Sequence, residues 1–275
     1  MSAALLFNGG PDAPELARHR GLQYGDGVFR TCLIYASELI DIDGQIEKIL
    51  QDCLGLGLDQ PPAGLLAREA ATLAAGQPRA VLKVMLLRAG NERGYRSAAT
   101  ACDRLLCRYP APQYAAASWE RGVRAARSGF QLAAQPALAG IKHLNRLEQV
   151  LASRGWEEGV DEMIVGDAAG RPLSGTRSNL FWVTGGTLRT PALEHCGVAG
   201  RMRDKVLAAA AALRVPVEVA AGTWEQLGGA DEAFLTNSLI GIWPLARLDG
   251  RRWPAPGPVT RSLMERLRHP RLANA

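Results

Sequence analysis

The sequence predicts an α+β protein built in two parts, on three observations. The chain has 275 residues, more than one hydrophobic core usually serves. Segments with strand-like alternation or short apolar runs interleave with segments whose apolar residues recur at helical spacing. Pro110, Pro112 and the small polar residues around Gln113 interrupt this pattern, so a linker is expected at about 111–118, between a domain at 1–111 and another at 118–275.

Taken in order, LLFNG reads as a short strand turning at Gly9-Gly10. VFRTCLIYASELI reads as a strand pair with a turn near Ala36-Ser37. QIEKILQDCLGLGL places Ile46, Ile49, Leu50, Cys53 and Leu54 on one helical face, and Gly64 to Gly76 forms a second helix ending at glycine. AVLKVMLLRAG and RLLCRYPAP are buried strands. Past the linker, GVRAARSGF is a strand, Lys142 is expected to open a helix with Leu144, Leu147, Val150 and Leu151 as its buried stripe, and DEMIVGDAAGRPLSGTRSNLFWVTGGTLRTP reads as three strands. The alanine-rich DKVLAAAAALRV is a helix, AFLTNSLIGIWPLARLDG is a strand, polar turn and strand, and PVTRSLMERLRH closes as a helix.

At 47% apolar and 21% charged residues the composition is that of an ordinary globular protein rather than a disordered or fibrous one. The net charge of +5 comes from scattered basic residues, which excludes a nucleic-acid tail and fits mild steering of small anions. Five cysteines without metal-ligand spacing fit a reducing compartment. No apolar run reaches the roughly 18 residues that span a bilayer, and MSAALLFNGGPD lacks a basic leader, so a cytoplasmic protein without membrane association is expected.

In AGIKHLNRLEQVLA, Lys142 stands in a polar cluster with His143, Asn145, Arg146 and Glu148. A lysine held rigidly and partly desolvated can keep its amine neutral for Schiff-base chemistry; a solvated surface lysine is the alternative. In CGVAGRMRDKV, a glycine-bounded loop feeds a helix N-terminus, which makes Val198, Ala199 and Gly200 candidates for holding a phosphate. Asn237 and Ser238, in the polar turn between two apolar strands, offer amide and hydroxyl contacts or simply build the turn. RAGNERGYR gathers Arg88, Arg93 and Tyr95 in a loop suited to binding carboxylates, with a solvated turn between strands as the equal alternative, and Arg30 is a possible further anion contact. The four histidines, His19, His143, His195 and His269, have no paired spacing, so no metal site is expected.

GLQYGDGVFRT, AGIKHLNRLEQ, SNLFWV, TPALEHCGVAGRMRDKV and FLTNSLIGIWPL occur in the order and spacing of class IV pyridoxal-phosphate enzymes. The chain resembles that family over nearly its whole length, and KHLNRLEQVLA with NSLIGIWPL looks most like its aminodeoxychorismate lyases. The resemblance implies the two-domain fold of D-amino acid aminotransferase-like enzymes, a site at the domain interface, pyridoxal 5'-phosphate as cofactor, and a homodimer. It also implies a small dicarboxylate substrate, 4-amino-4-deoxychorismate, cleaved to 4-aminobenzoate and pyruvate on the way to folate. By the same resemblance Lys142 is the Schiff-base residue, Thr31 a proton donor and Asn179 a cofactor contact, while Tyr24 and Tyr109 lie near the substrate with the arginine loop.

Two positions depart from the family pattern. Lys48 stands where an arginine usually grips the phosphate, offering a point charge instead of a fork. Ser174, five residues before Asn179, stands where a glutamate keeps the pyridine nitrogen protonated. A weaker electron sink disfavours transamination more than an elimination that creates an aromatic ring. An aminotransferase of D- or branched-chain amino acids and a degenerate, non-catalytic member are the alternative readings.

Overall fold

The computed structural model describes residues 4–13 and 16–273, and the chain divides into two compact units. The first comprises Met1–Pro112 with Ile141–Arg146, the second Gln113–Gly140 with Leu147–Ala275.

In the first unit the elements run β1 (Leu5–Phe7), α1 (Arg20–Gln23), β2 (Gly27–Tyr35), β3 (Glu38–Leu39), α2 (Ile42–Gly55), α3 (Ala63–Ala74), β4 (Arg79–Arg88) and β5 (Cys102–Pro110). The strands form one antiparallel sheet in the order β1-β5-β4-β2-β3. Ala36 and Ser37 join β2 to β3 with φ of 52° and 65°, the left-handed pair that a two-residue hairpin needs to match strand twist. The apolar stripe of α2 places Ile46, Ile49 and Cys53 against Val28, Cys32 and Ile34 of β2, and Leu66, Ala70 and Leu73 of α3 complete this core. Leu54, expected on the same face, is exposed.

Because β3 pairs with only Ile34 and Tyr35, the other end of β2 has an open edge. The segment around Lys142 fills it: Phe29 donates its N–H to the Lys142 carbonyl (2.9 Å), Leu144 donates to Gly27 (2.9 Å), and Val28 bridges His143 antiparallel. Lys142 therefore does not open a helix. Its backbone is committed to a sheet edge, and the helix α5 begins only at Leu147 (Leu147–Ala152, once α4, Ala117–Glu120, and β6, Val123–Leu132, have opened the second unit). The anticipated buried stripe also fails within this chain, since Leu147 is 69% and Val150 60% exposed, while Leu144 packs with Met85, Leu87 and Leu105.

The second unit continues with β7 (Glu162–Asp167), β8 (Pro172–Gly175), β9 (Asn179–Thr184), β10 (Thr187–Thr190), α6 (Arg201–Ala212), β11 (Val217–Val219), α7 (Trp224–Gly228), β12 (Glu232–Asn237), β13 (Gly241–Leu248), β14 (Arg251–Arg252) and α8 (Pro258–Leu267). The segment expected to hold three strands holds four, β7 to β10, because Gly185-Gly186 adds a tight hairpin after β9. Strand order is β11-β10-β9-β12-β13-β6-β7-β8, and a further β8–β9 pairing at Ser174 and Asn179 closes part of the sheet on itself. Helices α6 and α8 cover one side, packing Val206, Ala209 and Leu263 on the stacked rings of Phe181 and Phe234, whose centroids lie 5.0 Å apart. Glu232 accepts N–H bonds from Val259 (2.9 Å) and Thr260 (2.8 Å), an acid at the positive end of α8. No helix among the described residues is long and apolar enough to cross a membrane.

Candidate active site

Alternation along β2 sends Val28, Arg30 and Cys32 toward α2 and leaves Phe29 and Thr31 on the opposite face. Lys83 of β4 is directly across from Thr31, so it shares that face. The amines of Lys83 and Lys142 each lie 4.6 Å from the centroid of the Phe29 ring. On the helix side, Arg30 forms a buried ion pair with Asp52 of α2, and the same carboxylate oxygen accepts the Lys142 backbone N–H at 3.4 Å. Lys48, one turn before Asp52 on α2, acts on that carboxylate through its charge.

These surroundings lower the Lys142 amine to about 7. Desolvation is the largest cause even though the residue as a whole is only part-buried; Arg30 and Arg146 come next, and Asp52 opposes them. The amine is thus substantially uncharged near neutrality and able to act as a nucleophile or a base. Burial, Arg146 and Lys142 push His143 down to about 4, so its imidazole is neutral there. Burial also lowers Lys83 and raises Asp52, the latter opposed by Arg30.

Not every residue in the arginine loop is available to a ligand. Arg88 does not reach outward: its Nε bonds both oxygens of Asp26 (3.1 and 3.0 Å), and its remaining donors go to the carbonyls of Leu56, Gly57 and Ala99. Arg88 acts as a clamp on Asp26 and these carbonyls. Arg20, unremarked in the sequence, is buried and donates to the carbonyls of Glu92, Gly94 and Tyr95, while the Tyr24 hydroxyl accepts the Gly94 N–H at 2.8 Å. The loop is therefore pinned from behind, with Arg93 and Tyr95 exposed and the Tyr95 ring edge-on to Tyr24. Tyr109, at the end of β5, is exposed, and burial followed by Cys107 raises its hydroxyl. Arg30, considered as an anion contact, is instead engaged by Asp52.

In the second unit, Asn179 uses both ends of its amide. It donates to the Val198 carbonyl (2.8 Å) and accepts from the Gly200 N–H (3.2 Å). Ala199 donates to Gly140 at 2.9 Å. The backbone donors of Ala199 and Gly200 are thus already used inside the loop, and the anion-binding potential moves one step on, to the first turn of α6 at Arg201–Arg203. There Gly200 supplies no side-chain cap. Both ends of the Asn179 amide are thus spent on bracing this loop. Replacing Asn179 by alanine is expected to weaken binding of inorganic phosphate at the start of α6 about tenfold, measured by titration, as two loop hydrogen bonds are lost.

Asn237 likewise builds its own turn, accepting from Leu239 (2.8 Å) and Ile240 (3.0 Å) and donating to Arg177 (3.1 Å). Ser238 lies part-buried at the tip of that turn. The Ser174 hydroxyl is buried on β8 and donates to the Gly175 carbonyl at 2.9 Å. The carboxylate that sequence reasoning missed is Glu162, 1% exposed at the start of β7. It accepts from Met163 N (3.1 Å), Thr176 N (3.1 Å), Thr176 Oγ1 (2.6 Å) and Ser178 Oγ (2.9 Å), fixing the loop between β8 and β9. An acid at the head of the apolar run in DEMIV was the available signal.

Residues 27–248 match the family model for amino-transferase class IV. The chain is 31% identical over 242 residues to an aminodeoxychorismate lyase from Vibrio harveyi, covering 87% of this chain and 89% of that protein. It is 26% identical over 277 residues to a D-alanine aminotransferase from Bacillus licheniformis, covering 96% of each. Among solved structures, 4-amino-4-deoxychorismate lyase from Pseudomonas aeruginosa aligns with a TM-score of 0.90 at 38% identity, over 96% of this chain and 98% of that one. A branched-chain aminotransferase from Thermoproteus uzoniensis shares the fold, with a TM-score of 0.83 at 24% identity over 96% of this chain and 93% of that one. With a family model covering most of its length and a relative above 30% identity along nearly all of it, the chain belongs to the amino-transferase class IV family.

Proposed function

We propose that this protein is a pyridoxal-phosphate-dependent lyase that converts 4-amino-4-deoxychorismate to 4-aminobenzoate and pyruvate, a step toward folate. The observation that carries the reading is Lys142: a lysine fastened to a sheet edge, with its amine lowered to about 7, in a chain similar throughout to the lyases of V. harveyi and P. aeruginosa. Pyridoxal phosphate is the cofactor of this family, and when bound it supplies an aldehyde for the lysine and a ring that withdraws electrons from the reacting carbon. Within the first unit the lowered amine of Lys142 suits an aldehyde, and within the second the N-terminus of α6, behind the Asn179-braced loop, suits a phosphate.

Lys142 then serves as the base that removes the proton from the substrate carbon bearing nitrogen. The carbon–oxygen bond to the enolpyruvyl group breaks, the ring becomes aromatic, and a proton delivered to the departing group yields pyruvate, so the atoms balance without water or a redox partner. Thr31, on the same sheet face as Phe29 and Lys83, is the proposed proton donor. Arg93 and Tyr95, on the loop pinned by Arg20 and Tyr24, meet the substrate carboxylates, and Tyr109 borders them. Lys48 and Ser238 add to phosphate binding.

Ser174 favours this reading over transamination. Its hydroxyl is turned to the Gly175 carbonyl, and the neighbouring Glu162 is committed to Met163, Thr176 and Ser178, so neither side chain would offer an uncommitted carboxylate to a cofactor ring. A D-amino acid aminotransferase is the second reading, favoured by the end-to-end similarity to the B. licheniformis protein. We place the protein in the cytoplasm as a homodimer acting on a small dicarboxylate, a substrate suited to the net charge of +5.

The test is incubation of the loaded protein with 4-amino-4-deoxychorismate. Equal amounts of 4-aminobenzoate and pyruvate are expected. Oxo-acid formation from D-alanine or a branched-chain amino acid, with no 4-aminobenzoate, would overturn the assignment in favour of the aminotransferase.

A further inference from the structure

We propose that the second unit carries a ligand site of its own, a cavity beside α8 that takes a small aromatic carboxylate. The inference goes beyond the reading of Lys142 and does not depend on it.

The cavity, about 580 Å³, opens between α4, the start of β13 and the C-terminal half of α8. That is the size of a small-molecule site rather than of a packing defect. Its floor is apolar, formed by Trp119, Ile240, Ile242, Met264 and Leu267. Trp119 donates its indole N–H to the Ile240 carbonyl at 2.8 Å, and the Asn237 side chain accepts the Ile240 N–H at 3.0 Å, so the entry to β13 is held from both sides. Gly241, with φ of 64°, leaves the room that the His269 ring occupies, since a Cβ there would come within 2.8 Å of that ring. The far wall is fixed as well. Arg268 ends α8 with a left-handed φ of 46°, and the chain runs on to Leu272, whose side chain is buried and whose carbonyl accepts the Tyr114 N–H at 3.0 Å. The tail therefore borders the cavity instead of filling it, and the shape exists before a ligand arrives.

Charge decides what such a cavity accepts. Arg261, Arg268 and Arg271 stand in its lining against Glu120 and Glu265, all five exposed, and three arginines against two glutamates leave one positive charge in excess, His269 apart. Arg261 already donates to the Pro256 carbonyl at 3.4 Å, whereas the guanidinium groups of Arg268 and Arg271 have no partner among the described residues. A ligand with a single carboxylate matches that surplus, and an arginine fork binds a carboxylate through two parallel hydrogen bonds. The flat side chains of Trp119 and His269 in the lining suit a planar ring. A phosphate ester, with nearly two charges, would set the second against Glu120 and Glu265.

The experiment uses the full chain loaded with pyridoxal phosphate, and 4-azidobenzoate as the probe. Illumination expels dinitrogen from the azide, and the nitrene left behind inserts into a neighbouring bond, so peptide mass analysis locates the bound ring. Label is expected on the peptides that carry Trp119–Glu120 or Met264–Arg271, and excess benzoate should suppress it. Arg268→Glu/Arg271→Glu should reduce this label at least about fivefold, because the lining then carries a net negative charge. Both side chains are exposed, so the reversal leaves the core intact. Arg154→Glu/Arg252→Glu makes the same change in net charge at exposed positions outside the cavity, and should label as the wild type does.

Absence of label from these peptides, label that benzoate does not suppress, or equal labelling of the wild type and Arg268→Glu/Arg271→Glu overturns the proposal. Equal losses in the two paired variants do the same, because they would show steering by net charge alone. Suppression by inorganic phosphate as strong as that by benzoate would mark a general anion site and also overturns it. The same labelling repeated on the cofactor-free chain keeps the result independent of the pyridoxal-phosphate assignment, and the benzoate competition needs no variant to fold.

Discussion

Lys142→Ala is expected to retain the fold and lose product formation by at least about a thousandfold, together with the borohydride-stable adduct on that peptide. The fold survives because Lys142 contributes to the sheet edge through its backbone, which alanine preserves. Stability should change in a pH-dependent way. The amine is lowered in the folded chain from 10.5 to about 7, so between those values the unfolded chain binds the extra proton. Wild-type stability therefore rises with pH across that window and carries the full burden of the buried amine below it. The alanine variant lacks this term. Its thermal midpoint should exceed the wild-type midpoint at pH 7, and the two should converge toward pH 10.5. Full activity in Lys142→Ala would remove the lysine from the chemistry, and a constant difference in thermal midpoint would show that the amine titrates normally.

Glu162→Ala is expected to have the second largest effect, this time on stability. Removing the carboxylate strands the buried Ser178 hydroxyl and the N–H and hydroxyl of the part-buried Thr176. Charge-assisted hydrogen bonds of this kind make the cost about 3 kcal/mol. For a chain of this size that corresponds to roughly 8 °C in thermal midpoint. Gly175 leaves no room to adapt inward, because a Cβ there would meet Ser178 Oγ and the Glu162 side chain. Glu162→Gln keeps an acceptor and should cost about 1 kcal/mol. Calorimetry on the two variants checks the order, and an unchanged midpoint in Glu162→Ala would mean that the loop holds itself.

Most of the secondary structure was legible because each sheet or helix face is buried along one period. The α2 stripe and the buried strand AVLKVMLLR follow that rule directly. The segment around Lys142 broke it. Leu144, Leu147, Val150 and Leu151 satisfy a helical template, yet an unpaired edge of β2 captures the backbone first, a competition that periodicity does not register. The site was half legible for a related reason. The motif picks out Lys142 and the α6 loop, but Arg30, Asp52 and Lys83 around the lysine, and Glu162 behind the β8–β9 loop, are charged residues, and sequence alone assigns charged residues to the surface. Lys83 in the middle of VLKVMLL was the readable exception. For Asn237 the sequence left contact and turn both open, because local side-chain bonding and ligand binding draw on the same residue types, and in the structure its amide builds the turn.

The return of Ile141–Arg146 to the first sheet also orders events during synthesis. A ribosome that has released Pro112 has delivered every strand of that sheet, yet Gly27 and Phe29 still present an unpaired edge. Another 28 residues, Gln113–Gly140, must emerge before the edge can be closed. During that interval the nascent chain offers a template on which a neighbouring strand can add. The arrival of the segment that carries Lys142 thus ends the interval in which this edge stands open.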